Sequence, residues 1–335
     1  MVDLSTEYLG LKLKNPVIAG SSGLTNSVKS IKELEENGAG AVVLKSIFEE
    51  EIAFEYEDIL KEAESKGYNL DQFDYYDYKI KEDNLDKYTT LINESKKNVS
   101  IPVIASVNCV YSHEWLAFAS QLQKAGADAL ELNMFFLPSD FERTSEEKEK
   151  AYFQIIEQVQ KAVNLPIALK ISYYFSNLGP MIQKLSSTGI SGLVLFNRFF
   201  SPDFDIDKFE VKNSNVFSAP SDLSISLRWI AIMAERVNCD LAASTGVHDG
   251  VALIKQLLAG ADAVQVASTL YTNGKGRIGE MLKTLEEWME GKGYGSLSDF
   301  RGKMSQAKSS NPAAYERAQF MKYFGGKKQK DPDPA

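Results

Sequence analysis

The sequence predicts a (β/α)8 barrel, because two short apolar phrases alternate along the chain with helical patterns between them. The first phrase has proline or a polar residue at its second position, followed by small apolar residues. It occurs at 15–19, 101–105, 165–169 and 239–243. The second phrase begins with glycine, and it occurs at 38–44, 126–132, 189–195 and 260–266. Alternating strands and helices are typical of an α/β fold, and four copies of each phrase supply eight strands.

Short strands that are mostly apolar and are separated by helices favour parallel pairing. Parallel neighbours need a crossover connection, and helices cover both faces of the sheet. Eight such units in one chain are what a closed barrel requires. A doubly wound sheet is the alternative, but it would usually carry GxGxxG after its first strand, and no such motif follows 15–19.

A helix precedes each glycine that opens the second phrase. In the clearest case the apolar residues Phe118, Leu122 and Ala125 recur at intervals of three and four, which places them on one helix face. Gly126 then follows as the residue that ends a helix in a left-handed conformation. We expect the same conformation at the glycines that stand in the corresponding places, Gly38, Gly189 and Gly260.

Two connections are long, and both follow strands, so they belong at the C-terminal face of the barrel where active sites are built. The first runs from strand two to residue 101 and contains a Tyr- and Asp-rich cluster at 73–78, followed by a helix expected at about 83–97. The cluster is interpreted as a surface loop, a dimer contact or a substrate lid. The second connection is 198–220, after strand six. Residues 1–325 are expected to form one domain, and 326–335 a disordered tail.

Composition excludes several functional classes. The 335-residue chain is 44% hydrophobic with a formal charge of −9, which disfavours nucleic acid as a partner. Its two cysteines, Cys109 and Cys239, lack CxxC spacing, so a disulfide framework or a zinc site is not expected and a reducing cytoplasm fits. No stretch of eighteen apolar residues predicts a membrane span. The expected ligand is a small molecule.

Polar residues just past the strand ends are the candidates for function. This ring is rich in Asn, Ser and Lys: Ser21, Ser22, Lys45, Ser46, Asn108, Asn133, Lys170, Ser172, Asn197, Ser244, Thr245, Ser268 and Thr269. The only histidines, His113 and His248, fall at expected helix starts and are interpreted as capping or surface residues. We therefore expect no metal site.

Lys45 and Lys170 stand directly after apolar strands, where a buried ammonium needs an anion or an acceptor. An ion pair with a neighbouring carboxylate is the structural alternative, but acidic residues are scarce among the strand ends. The small residues and hydroxyls at 244–246 and 267–268 precede expected helices after strands seven and eight, where barrels bind phosphate. A phosphorylated ligand is the hypothesis.

The chain resembles the dihydroorotate dehydrogenases, specifically the soluble class 1 branch, over almost its whole length. The matching phrases are 9–18, 44–46, 131–133, 169–171, 244–250 and 293–303. The resemblance implies an oxidoreductase acting on a CH–CH bond, with FMN at the barrel mouth. It implies that Lys170 stands at the N1/O2 edge of the flavin ring and stabilises the reduced, anionic form. It further implies cofactor contacts from Gly20, Ser21, Ser22, Lys45, Ser46, Asn133, Ser244, Thr245, Gly246, Ala267 and Ser268, and catalytic roles for Lys170, Lys45, Asn133 and Asn197.

The substrate half of the family pattern is absent. After Asn133 the family carries a Cys or Ser base, whereas this chain has Met134, Phe135, Phe136 and Leu137. The strand-six Asn-Ser pair becomes Asn197-Arg198. We therefore expect a substrate that differs from dihydroorotate, flatter or more hydrophobic, with Arg198 available for a carboxylate.

Two other functions stay open. One is a phosphate-binding barrel lyase or aldolase that uses Lys170 as a Schiff-base lysine. The other is a flavin-binding protein without turnover. For the oxidoreductase we expect a homodimer and allow for a separate electron-transfer partner.

Overall fold

The computed structural model describes residues 2–48, 73–108, 115–134, 137–139, 141–199, 201–212 and 216–316. The sequence-based expectations for Cys109, His113, Phe135, Phe136 and the 326–335 tail fall outside the described residues. So does most of the first long connection, at 49–72.

The described chain alternates strands and helices, as the two phrases predict. The strands are β1 (Thr6–Tyr8), β2 (Leu11–Leu13), β3 (Val17–Ala19), β4 (Ala41–Val43), β5 (Ile47–Phe48), β6 (Val103–Asn108), β7 (Ala129–Met134), β8 (Ile167–Ile171), β9 (Gly192–Leu195), β10 (Asp203–Asp205), β11 (Glu210–Lys212), β12 (Asp240–Ser244) and β13 (Ala263–Val266). The helices are α1 (Val28–Glu36), α2 (Phe73–Asn98), α3 (Trp115–Lys124), α4 (Ser145–Ala162), α5 (Leu178–Ser186), α6 (Leu223–Met233), α7 (Gly250–Ala259), α8 (Ser268–Asn273) and α9 (Arg277–Lys292). None of these helices is both long and apolar enough to cross a bilayer.

Eight parallel strands close into a barrel, which confirms the predicted fold class. They follow the order β3, β4, β6, β7, β8, β9, β12 and β13, and β13 pairs with β3 to close the ring. Each phrase of the sequence forms one of these strands. The two-residue strand β5 extends the line of β4 and pairs with the end of β6, Ile47 opposite Val107.

Alternate residues of each strand point into the barrel, and they form an apolar lower layer and a polar upper layer. On β8, for example, Ala168 belongs to the inner apolar cluster, whereas Ile167 and Leu169 pack against the surrounding helices. Two residues further along β8, Lys170 is again on the inner side, now near the C-terminal ends of the strands. The inward-facing charged group Lys170 is therefore placed at the mouth of the barrel.

An antiparallel hairpin, β1 paired with β2, closes the opposite end of the barrel. Tyr8 and Leu9 are fully buried and belong to the inner apolar cluster. A β-carbon added to Gly192 at the start of β9 would stand 2.5 Å from the Leu9 side chain, which shows how closely the hairpin packs on the strand. The sequence patterns did not predict this plug.

The four glycines expected to end helices, Gly38, Gly126, Gly189 and Gly260, all have positive φ angles, which confirms the expectation. The start of α2 was predicted wrongly. The helix begins at Phe73, about ten residues earlier than expected, so the Tyr- and Asp-rich cluster at 73–78 is helical and is not a loop. No glycine or proline interrupts 73–98, so nothing in the sequence stops the helix from extending upstream.

The second long connection has structure of its own. It contains the hairpin β10–β11 and a 3-10 turn at Pro220–Asp222, and it leads into α6. Residues of this connection reach the barrel mouth.

Candidate functional site

Lys170 lies at the centre of the barrel mouth. It stands on β8, is only 8% exposed, and faces inward together with Asn133 of the paired strand β7. Its Nζ donates a hydrogen bond of 2.9 Å to Oε1 of Gln265 on β13, from the opposite side of the barrel. The lysine is thus held by the strand framework, so its ammonium group has a defined position.

A carboxylate accompanies this lysine, contrary to the expectation that acidic residues are scarce at the strand ends. Glu131 of β7 is 1% exposed, and its Oε1 lies 3.9 Å from Nζ of Lys170. Its Oε2 accepts a hydrogen bond from Nε2 of Gln265. Among the described residues, Glu131 Oε1 has no hydrogen-bond partner. The three side chains form one buried network, in which Gln265 bridges Glu131 and Lys170.

Sequence reasoning missed Glu131 and Gln265 as site residues. A signal was present, because each is a polar residue inside an otherwise apolar strand phrase, in the same inward phase as the residues near the mouth. Burial of such groups is costly unless they are paired, so they indicate a built site.

The other end of the site is formed by the loops after β12 and β13. Ser218, from the second long connection, joins them: its N–H donates to Ser268 Oγ at 3.0 Å, and its Oγ lies 3.1 Å from His248 Nε2. The Gly246 N–H is directed to the same Ser218 Oγ at 3.4 Å. Helix α8 begins at Ser268, and the first N–H groups of a helix have no partner within it. Hydroxyl and N–H donors are therefore concentrated near the loops after β12 and β13.

One cavity of about 230 Å³ connects the two ends. Nine of the residues predicted from the sequence line it: Gly20, Ser21, Lys170, Asn197, Ser244, Thr245, Gly246, Ala267 and Ser268. We call it the mouth cavity. A lysine stands at one end and a hydroxyl-rich pair of loops at the other, so the cavity suits an elongated ligand with an anionic group.

The remaining predicted residues lie around this cavity. Asn133 is 6% exposed, and its Oδ1 accepts a 2.7 Å hydrogen bond from Asn197 Nδ2, so the two amides act as a unit. Ser46 donates its N–H to Ser21 Oγ at 2.9 Å. Lys45 is half-buried beside Ser46. Ser22 caps the 3-10 turn Gly23–Thr25, a structural role, and its contact with a cofactor stays a prediction.

The Arg198 side chain already has partners within the protein. Its Nε lies 3.2 Å from Asp222 Oδ2, and its Nη1 donates to the Val216 carbonyl at 3.2 Å. The expectation that Arg198 binds a substrate carboxylate therefore has to include competition with Asp222. Arg198 begins the second long connection, and Asp222 ends the 3-10 turn that precedes α6.

The fold and the site together define a class: a (β/α)8 barrel with a cationic, hydroxyl-rich ligand cavity at its C-terminal face. In the parts of the chain that the structure describes, no group of three or more His, Cys, Asp or Glu side chains is placed to hold a metal ion. The model of one family, dihydroorotate dehydrogenase, matches residues 3–289. The chain belongs to the dihydroorotate dehydrogenase family, and it is a dihydroorotate dehydrogenase-like oxidoreductase.

The curated relatives are distant but match over nearly their full lengths. The chain is 25% identical over 313 residues to the dihydroorotate dehydrogenase B (NAD(+)) catalytic subunit of Thermoplasma volcanium, covering 90% of this chain and 98% of the relative. It is 25% identical over 306 residues to a putative dihydroorotate dehydrogenase A (fumarate) of Aeropyrum pernix, covering 90% and 97%. For dihydroorotate dehydrogenase A (fumarate) of Lactococcus lactis, the identity is 22% over 326 residues, covering 90% and 99%.

Proposed function

We propose that the protein is an FMN-dependent oxidoreductase that acts on a CH–CH bond of a substrate other than dihydroorotate. The observation that carries the proposal is the mouth cavity, which joins Lys170 to the loops after β12 and β13. Family membership supports the reaction class. The departures from the family pattern concern only the residues on the substrate side.

The residues around the cavity fit FMN by their chemistry. The hydroxyls of Ser244 and Ser268 and the N–H groups of the loops after β12 and β13 are suited to a phosphate. Lys170 would hold the ring end, where its ammonium offsets the charge of the buried Glu131 and offers a donor to a ligand. Asn133 and Asn197 would orient the ring through their paired amides. FMN, when bound, supplies the hydride acceptor.

The surroundings of Lys170 disfavour the lyase alternative. A Schiff-base lysine attacks as a neutral amine. Here an amide oxygen stands 2.9 Å from Nζ and a carboxylate oxygen 3.9 Å away, and both stabilise a positive charge on the nitrogen. A lysine held by these two oxygens suits the electrostatic role that the flavin hypothesis assigns to Lys170.

The flavin proposal predicts that the purified protein is yellow. Acid denaturation is expected to release FMN, which is identified by absorbance and mass, because FMN would be bound without a covalent link. Added FMN should raise the melting temperature of protein stripped of cofactor, since a ligand that binds only the folded state stabilises it. The proposal would be contradicted if the protein releases no flavin and its melting temperature does not change when FMN is added.

Residues 134–137, which follow Asn133 directly, carry no group that can change its protonation. Met134, the last residue of β7, is 1% exposed and packs outward against the helices, so it does not face the mouth. Leu137 is 51% exposed and apolar. The intervening Phe135 and Phe136 lie outside the described residues, and neither carries an ionisable group. These residues support a change of substrate.

We therefore predict that dihydroorotate reduces the bound flavin poorly. General acid–base catalysis contributes about 10²- to 10⁴-fold to a rate, so the anaerobic reduction rate should be lower than that of a base-containing family member by about this factor. Stopped-flow absorbance of the bound flavin measures the rate. Phe136→Cys places a thiol in the segment after Met134 and serves as the comparison. Rapid bleaching of the unmodified protein would refute the argument, and slow bleaching of both proteins would indicate a different substrate.

The assembly is proposed from the relatives. Several are described as catalytic subunits, a term that implies a further subunit. A homodimer with a separate electron-transfer partner is the corresponding proposal for this protein. Size-exclusion chromatography with light scattering tests the dimer.

A further inference from the structure

A second cavity, of about 760 Å³, adjoins the mouth cavity. We call it the aromatic cavity, and its apolar wall is formed by Leu137, Tyr173, Tyr174, Phe199 and Ile225. Five residues line both cavities: Phe196, Asn197, Arg198, Ser244 and Thr245. The volume is within the range of about 300–1,000 Å³ that is usual for small-molecule sites.

The aromatic rings of this cavity pack against one another. Tyr173 and Tyr174 are stacked, with centroids 4.7 Å apart and planes at 28°. Phe199 meets Tyr174 edge-on at 5.4 Å, and Phe196 meets Tyr173 edge-on at 5.8 Å. Tyr174 remains 39% exposed, and Ile225 remains 38% exposed. A flat ring is the ligand shape that would cover these surfaces, because aromatic pairs favour offset-stacked and edge-on contacts.

The charged groups on the wall neutralise each other. Arg198 Nε lies 3.2 Å from Asp222 Oδ2, and both residues line the cavity. A hydrogen bond to the Tyr174 side chain, together with burial, raises the pKa of Tyr173, so the phenol is neutral at physiological pH. The two tyrosine hydroxyls bond to each other, so one donor hydrogen is left for a ligand, and the Arg198–Asp222 pair carries no net charge. An anionic ligand would have to compete with Asp222 for Arg198.

We propose that the aromatic cavity binds a planar, uncharged ring compound that carries a carbonyl group. The ring would contact Tyr174 and Ile225, and the carbonyl oxygen would accept a hydrogen bond from a tyrosine hydroxyl. The shared wall places this ligand next to whatever fills the mouth cavity, so the site is suited to an organic substrate or an electron acceptor. The proposal goes beyond the flavin proposal and does not depend on it.

Binding of 2-acetylnaphthalene, a neutral planar ketone, tests the proposal. Isothermal titration with the full-length protein, both as purified and after addition of FMN, should show one site in each case. 2-Naphthoate has the same ring with a carboxylate, and we expect it to bind at least about tenfold more weakly. Tyr174→Ala should weaken binding of the ketone about tenfold, because the stacking surface is lost.

A second variant separates loss of the site from loss of the fold. Ile225→Trp fills the cavity from α6 and should abolish binding of the ketone, whereas Val251→Trp replaces an exposed apolar residue of α7 that does not line the cavity and should leave binding unchanged. Melting temperatures show that both variants are folded. The proposal is wrong if the ketone does not bind, if Ile225→Trp still binds it, if FMN displaces it, or if 2-naphthoate binds as tightly.

Discussion

Replacing Lys170 with methionine is expected to lower the reduction potential of the bound flavin by about 40–90 mV and to slow its reduction by about 10²- to 10³-fold. Removing one preorganised electrostatic group typically costs about 2–4 kcal/mol, and about 30 mV corresponds to about 1.4 kcal/mol for a two-electron couple. Methionine keeps the approximate length of the side chain and removes the charge that would stabilise the reduced ring, together with the donor to Gln265. Spectroelectrochemical titration gives the potential, and FMN affinity should change less than the rate does.

Two matched variants decide whether the effect comes from the charge of Lys170. Glu131→Gln removes the neighbouring negative charge, while the new amide oxygen can still accept from Gln265, so it should raise the potential. Lys45→Ala removes a half-buried lysine of the rim and should act mainly on ring positioning. An unchanged potential in Lys170→Met would remove Lys170 from the flavin site, whatever the Lys45 variant does.

Gly246→Ala is expected to destabilise the fold by about 3 kcal/mol or more, which is at the upper end of single-residue effects. Gly246 has φ of 78°, and an added β-carbon would stand 2.0 Å from the Leu223 backbone nitrogen and 2.6 Å from Leu223 Cα. These atoms are main chain at the start of α6, so they cannot move aside as a flexible side chain could. Denaturant unfolding of protein without FMN measures the loss of free energy.

Gly293→Ala is the matched control for this prediction. Gly293 has φ of 70° and ψ of 28° at the end of α9, and nothing lies within 4 Å of the position that its β-carbon would take. Alanine in this left-handed conformation should cost only about 1–2 kcal/mol of backbone strain. Equal losses in the two variants would show that the loop after β12 moves away from α6. In the Gly246 variant FMN affinity should also fall, because this loop lines the mouth cavity.

Part of the candidate site followed from the sequence because strand ends in a barrel meet at one face. Lys170, Asn197, Ser244 and Ser268 stand on four different elements, yet each could be placed at the mouth from its position after a strand. The partners of these residues could not be predicted in this way. Ser218, which joins the loops after β12 and β13, comes from a long connection with no periodic pattern.

The lengths of elements were less predictable than their existence. The start of α2 was missed because a Tyr- and Asp-rich segment is polar and aromatic in composition, and composition alone does not distinguish a loop from an exposed helix. The plug formed by β1 and β2 was missed because its strands have three residues each, too few for a period to be recognised.

The sequence by itself determined the barrel, the helix ends that glycine caps and the ring of polar residues, since each depends on local periodicity and on glycine conformations that nearby residues specify. Only the tertiary structure decided which groups meet across the barrel. Gln265 reaches Lys170 from 95 positions away and Glu131 from 134 positions away, and the pairings depend on the register of strands when the ring closes. Register is a property of the closed sheet, so no single strand carries it. For the same reason the aromatic cavity, whose walls come from the segments that follow β7, β8 and β9, from the end of β12 and from α6, became visible only in the folded chain.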